Sequence, residues 1–280
     1  MPRMVARALS FELVSWVYSS TVDIVTFARC TAVVRIAVGA ACCVPTLALV
    51  AQPPTAVPTA VPTPRRVVPG DSSLRGAALR ADTLTYTLTG YRDGDEIPVG
   101  TITDVITLST TATPQLHRVL TVQRGTARLI DSTTTDVATL APRLHASLQP
   151  QRRLRITFSG PRVRGSIGPV DAPGAAVDTT LGSSVFDSGN WDLILRAMPL
   201  APDYAAVFRV YDLETGLHDY VVRVIGATTL MGEPTHIVLF QLGGKQEVTV
   251  WIGATTRRLL QVETPLGPTT LLRQTLRVPR

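Results

Sequence analysis

From Leu79 onward, apolar and polar residues alternate with a period of two in one short segment after another. Leu154, Ile156 and Phe158 alternate with Arg155, Thr157 and Ser159. Val248, Val250 and Ile252 alternate with Glu247, Thr249 and Trp251, and Leu272, Leu276 and Val278 oppose Leu271, Arg273, Thr275 and Arg277. A strand with this pattern puts one face on a core and the other toward water, whereas a helix would scatter the same residues around its axis. Turn signals separate the segments: Asp93-Gly94-Asp95, Glu214-Thr215-Gly216, Gly243-Gly244 and Leu266-Gly267-Pro268. The expected fold is all-β, a meandering antiparallel sheet. A parallel sheet would need a crossover helix between each pair of strands, and the sequence offers one good helix.

That helix is expected over Asn190–Met198, in FDSGNWDLILRAMP. Asp187 or Ser188 can cap it and Pro199 stops it. Trp191, Ile194, Leu195 and Met198 fall at helical spacing and form one apolar face, with Trp191 offering the largest area to bury. A helix this short cannot hold that face alone, so it is expected on the concave side of the sheet. The space between them is either a packed core or a hydrophobic cavity. These four residues are the candidate ligand-binding face.

The N-terminal part reads differently. Arg29 and Arg35 precede an uncharged run, IAVGAACCVPTLALVA, over residues 36–51, and QPP follows. This is the order of a secretory signal, with cleavage expected after Ala51. The run lies far from Met1 for such a signal, so translation is expected to start near Val33 or somewhat upstream. A membrane anchor would need roughly 20 apolar residues, and Pro45 interrupts this run. Lipidation at Cys42 is the third outcome, with Gly39 where a leucine-like residue is usual. Cys30, Cys42 and Cys43 all precede the cut, so the exported domain carries no thiol for a disulfide, a nucleophile or a metal. Residues 52–72 begin with a repeated Ala-Val-Pro-Thr unit and read as a polyproline spacer. The organisation is thus an export signal over 1–51, a linker over 52–72 and an antiparallel β domain over 73–280. The location is the periplasm or outer membrane, close to a membrane surface.

The formal net charge is +6, and removing residues 1–51 leaves +4. Acids and arginines are interspersed with no basic block, which argues against a nucleic-acid partner.

The stretch from Phe186 to Leu276 resembles the bacterial envelope family of domain of unknown function 3108. The resemblance rests on WDLILRAMPLAPDY, FRVYDLETG, VVRVIGATTL and VTVWIGATTRRLLQVETP in that order. That family is similar to the lipoprotein carriers LolA and LolB. The resemblance implies a half-open β-barrel covered by helices, with room for acyl chains in some relatives. It brings no catalytic residues.

The remaining motifs are weighed one by one. Asp187-Ser188-Gly189 matches the triplet of aspartic proteases, which need two carboxylates sharing a proton. Here it leads straight into the helix, where Asp or Ser is wanted as a cap. Asp93-Gly94-Asp95-Glu96 lacks the ligand spacing of a calcium loop and reads as a hairpin turn. His117, His145, His218 and His236 stand singly, without metal-ligand spacing, and read as surface or hydrogen-bonded structural histidines. No catalytic residue, metal site or cofactor is expected, and the protein is read as a non-enzyme. Two functions stay open. One is a binding module for a lipid or other apolar ligand; the other is an assembly factor that contacts an envelope protein partner. A pocket of roughly 300 Å³ or more under the helix would favour the first.

Overall fold

A computed structural model of the chain describes residues 63–213, 215–243 and 246–278. The export signal and residues 52–62 of the linker lie outside the described residues. The strands are β1 (Arg65–Val67), β2 (Asp82–Arg92), β3 (Asp95–Leu108), β4 (Gln115–Arg124), β5 (Ala127–Asp136), β6 (Pro142–Leu148), β7 (Arg152–Ser159) and β8 (Arg162–Pro169). They continue with β9 (Ala175–Thr180), β10 (Phe186–Asp187), β11 (Ala205–Asp212), β12 (Gly216–Leu230), β13 (Glu233–Leu242), β14 (Gln246–Gly253), β15 (Leu259–Gly267) and β16 (Thr270–Leu276). A 3₁₀ turn, Ser188–Asn190, and the helix α1, Trp191–Ala197, lie between β10 and β11.

All sixteen strands join one sheet, in the order β1, β11 to β16, then β2 to β9, with β10 beside β11. From β2 to β9 and from β11 to β16 each strand pairs with the next in sequence through a hairpin, β16 pairs with β2, and β1 and β10 both lie beside β11. The β2–β3 turn places Asp93 and Gly94 at φ 52° and 94°, the left-handed pair that a tight hairpin needs. Only β1 and β10 run parallel to their neighbour, and both lie along the same edge of β11. The stretch read as a spacer therefore contributes to the sheet at Arg65–Val67, where Val67 is fully buried.

The alternation works as expected except at Val278, which lies past the end of β16 and is exposed. Val248, Val250 and Ile252 are buried, as are Leu154, Ile156 and Phe158. Register shifts at Leu88/Thr89, Thr134/Thr135, Val224/Gly226, Trp251/Ile252 and Pro265/Gly267 bend the strands. Such bulges raise local twist and curl a sheet. Here the sheet rolls until β10 meets β6 across the seam, where Asp187 bonds His145. The barrel does not close by a backbone ladder. Instead β7 to β9 run on past the seam and cover the outside of β11: Phe158 meets Tyr211 edge-on, with centroids 6.4 Å apart. Leu154, Ile156, Phe158, Val163, Leu181, Val185 and Tyr211 form a second small core there, separate from the main one.

Helix α1 lies inside the roll, on the concave face. Pro199 cannot continue it, and Met198 takes the extended conformation that a residue before proline prefers (φ −69°, ψ 149°). Ile194, Leu195 and Met198 are buried to within 1% and join the main core. Trp191 is the half-buried member, stacked on Phe240 at 4.9 Å. The helix is buried all round, not on one face. Asp192 and Arg196 are 3% and 2% exposed, so each needs a partner inside the protein. Arg196 Nε donates to the Arg257 carbonyl and Arg257 Nε donates back to the Arg196 carbonyl, both at 2.8 Å. Arg257 also donates to the Met198 carbonyl. The free carbonyls of the helix C-terminus are thus met by guanidinium, the charge their dipole favours.

Candidate functional site

The lead-in to the helix, residues 187–192, carries polar groups into a place with little water, and five of its six residues are tied to the barrel wall. Asp187 accepts from the Gly189 N–H at 3.2 Å and so caps the 3₁₀ turn, not α1, which starts after Asn190 without a side-chain cap, and it lies 3.0 Å from His145 Nδ1 on β6. Ser188 donates to Asp212 on β11 at 3.1 Å. The Gly189 carbonyl lies 3.4 Å from Arg118 Nη1, and a Cβ on Gly189 would come within 2.9 Å of the His145 ring, so only glycine fits without a shift. Asn190 accepts from Thr133 at 2.8 Å and donates to Thr135 at 3.1 Å, both on β5. Asp192 takes a two-pronged contact from Arg118 on β4, at 2.7 and 3.1 Å.

Arg118 is the centre of this arrangement. Its Nε and Nη2 donate to Asp104 on β3 at 2.8 and 2.9 Å. Burial alone would push the guanidinium pKa down, but Asp104 and Asp192 outweigh it and hold it above its ordinary value. His145 is similar. Burial opposes its charge, yet Asp187 and Asp131 raise its pKa to about 10, so the ring is an imidazolium at neutral pH. Its Nε2 sits 3.8 Å from Asp131 Oδ1, too long for a hydrogen bond, and neither atom has another partner. Tyr220 is pushed up first by burial and then by Asp212 and Asp187.

A cavity of about 110 Å³ lies beside this segment. Its wall combines the aromatic residues Trp191, Tyr220 and Phe240 with Arg118, Asp131, Asp192, Asp212 and Gln274. Of the four residues expected to form the binding face, Trp191 alone lines it; Ile194, Leu195 and Met198 pack in the core beyond. No three His, Cys, Asp or Glu side chains among the described residues are grouped to hold a metal ion. His117 is exposed and His218 half-buried, and both are bonded to threonines, at 3.0 and 2.7 Å.

Sequence reasoning passed over Asp104, Arg118 and Asp131, and it read His145 as a surface or hydrogen-bonded structural histidine; the structure buries it against Asp187. The signal is present in retrospect: Asp104 sits in phase with Ile102 and Ile106, and Arg118 in phase with Leu116 and Leu120. A charge on the inward phase of a strand must find a partner across the interior.

Comparison with known proteins follows this geometry. Among curated proteins none matches the sequence. Among solved structures, the chain is similar to the crystal structure of a β-barrel-like protein of domain of unknown function DUF1849 from Brucella abortus. That likeness has a TM-score of 0.48 and 9% identity, covering 70% of this chain and 95% of that one. No helix among the described residues is long and apolar enough to cross a membrane. The family described as protein of unknown function DUF3108 matches residues 85–274, from β2 to β16 and through the whole of the polar segment, and the chain belongs to that family.

Proposed function

We propose that the protein is a non-catalytic binding module of the cell envelope that takes its ligand into the rolled sheet beside the N-terminal end of α1. The observation that supports it is the cavity beside residues 188–192, whose lining combines aliphatic and aromatic side chains with charged groups inside the barrel. A volume of about 110 Å³ is below the roughly 300 Å³ at which pockets for whole drug-sized molecules begin. The cavity therefore suits a small molecule or the end group of a larger one. It does not suit an entire acyl chain, the occupant that the likeness to LolA and LolB implies. The polar groups around it are fixed by ion pairs and hydrogen bonds, which is the preorganisation that binding rewards. Export to the envelope rests on the uncharged run at 36–51 and on cysteines confined to the first 51 residues.

The assembly-factor alternative has two observations in its favour, the first being that the cavity falls short of the roughly 300 Å³ set for a ligand pocket. Strand β9 ends the sheet with one unpaired edge, and such an edge can accept a strand from a partner.

Native mass spectrometry of the full chain, isolated from its host's envelope fraction, tests the reading. The expected result is a bound small molecule that is lost when Leu129→Trp fills the cavity. A protein that carries no adduct and binds no small probe rejects it, and a co-isolated protein would favour the alternative.

A further inference from the structure

The outer surface of the sheet is uneven in charge, and this unevenness is independent of the cavity. Strands β4 to β9 carry three carboxylates. Asp131 lines the cavity, Asp136 is 6% exposed, and Asp178 on β9 is exposed. On the phase that faces water the same strands present five exposed arginines: Arg128, Arg153, Arg155, Arg162 and Arg164. Each adjoins a buried apolar residue in sequence, as the period of two requires. Arg143, also exposed, faces Asp136 at 3.7 Å. Strands β11 to β16 are balanced differently. Apart from the buried Asp212, they set Arg209, Arg223 and Arg273 against Asp219, Glu233, Glu247 and Glu263.

Asp178 takes up Arg162 at 3.0 Å and Arg164 at 3.4 Å. Arg153 donates to a neutral partner, the Ala172 carbonyl, at 3.2 Å. Among the described residues no carboxylate lies within ion-pair distance of Arg128, Arg153 or Arg155. These three gather toward one end of the face. The register sets Arg153 opposite Leu148, and Leu148 opposite Ile130, two residues from Arg128. Side chains paired in this way share a face and touch. Val170, at the same end, is bonded back to Gln151. Leu148 and Val170 are 47% and 37% exposed. Asp171, exposed beside Val170, offsets one of the three cations. Asp93, Asp95 and Glu96 belong to the β2–β3 hairpin, on the far side of β4.

We propose that this end of the outer face, built on Arg128, Leu148, Arg153, Arg155 and Val170, docks on an anionic lipid bilayer. The inference does not involve the cavity; it rests on the envelope location, which puts a bilayer within reach. Guanidinium groups meet the phosphates of anionic headgroups, and the exposed aliphatic side chains enter the boundary beneath them. The make-up of the face favours a bilayer over a nucleic acid. Phe158, the one aromatic ring of β4 to β9, is buried, so no ring is offered for bases to stack on.

Flotation of the full chain with vesicles tests this, using phosphatidylcholine alone and an equimolar mixture with phosphatidylglycerol. Binding by the uncharged run at 36–51 is common to both, so the face is read from the difference between them. The mixed vesicles are expected to bind more chain, and the excess to vanish at 1 M salt, where charges are screened beyond about 3 Å. The double variant Arg153→Gln/Arg155→Gln is expected to weaken that excess binding at least about tenfold. The control Arg209→Gln/Arg223→Gln removes the same charge from the other half of the sheet and is expected to leave it unchanged. Thermal melts identify a variant that fails to fold, and Arg128→Gln/Leu148→Asn then decides in its place. Equal binding to the two vesicle types overturns the proposal, as does a loss in the control as large as in the test variant. Tighter binding to a single-stranded oligonucleotide than to the mixed vesicles overturns it in favour of a nucleic acid. The cavity reading is tested by its own small-molecule adduct and is untouched by any of these results.

Discussion

The two halves of the segment 187–198 are both largely buried, but by opposite means. Its lead-in, 187–192, is held by directional contacts, each with a named partner on β4, β5, β6 or β11. Its helical end, 193–198, is held chiefly by Leu193, Ile194, Leu195 and Met198 in an apolar core. Apolar contacts fix how tightly the helix sits but tolerate small shifts. Polar contacts contribute less net stability, because desolvation offsets them, but they fail if the register moves by one residue. The helical end therefore anchors and the lead-in aligns, and the cavity is placed beside the half that aligns.

The largest expected effect comes from breaking the polar half. Arg118→Ala leaves Asp104 and Asp192 buried without a cation, at a cost of about 4 kcal/mol in urea unfolding. Replacing all three together by Met and Leu is expected to restore most of that loss. A triple variant as unstable as the single one would show that the ion cluster is a net source of stability, against the contrast drawn above.

Breaking the apolar half comes next. Leu195, fully buried, is expected to lose about 3 kcal/mol as Leu195→Ala. Trp191→Ala is expected to lose less, about 2 kcal/mol, because the larger side chain is only half-buried. Chemical denaturation of both variants checks the order, which reverses the one that side-chain size alone implies.

The smallest effect is a dependence on pH. The folded pKa of His145 is about 10, above the ordinary 6.5. A raised folded pKa means that the folded state holds the proton more tightly. This contribution is complete below about pH 6.5 and is lost as pH rises through about 10. Stability should decline across that window with a slope of at most one proton, and His145→Asn should abolish the slope. An unchanged slope in that variant would assign it to another group.

The alternation of Val248, Val250 and Ile252 with Glu247, Thr249 and Trp251 was enough to choose strand over helix. The pairing Asp93-Gly94 was enough to turn β2 into β3. Trp191 was legible as a helix residue facing inward. Its half-exposure was not, because that depends on how far β12 and β13 curl over it. The same limit applied to Asp187. Its cap role follows from the three residues around it, while its partner His145 is 42 residues away on another strand.

By itself, then, the amino-acid sequence determined the alternating strands and the turns between them, the helix near 190–198 and its stop at Pro199, since each depends on neighbours within a few residues. The tertiary structure alone decided that the sheet rolls past its own seam, that α1 lies inside it, and that Arg118, Asp131 and Asp192 line one cavity, with Asp104 and His145 as their partners behind it. Those outcomes depend on bulge positions accumulating over many strands and on charges that are far apart in sequence. A charge on the inward phase of a strand announces that it needs a partner, and only the curl of the sheet selects which one it receives.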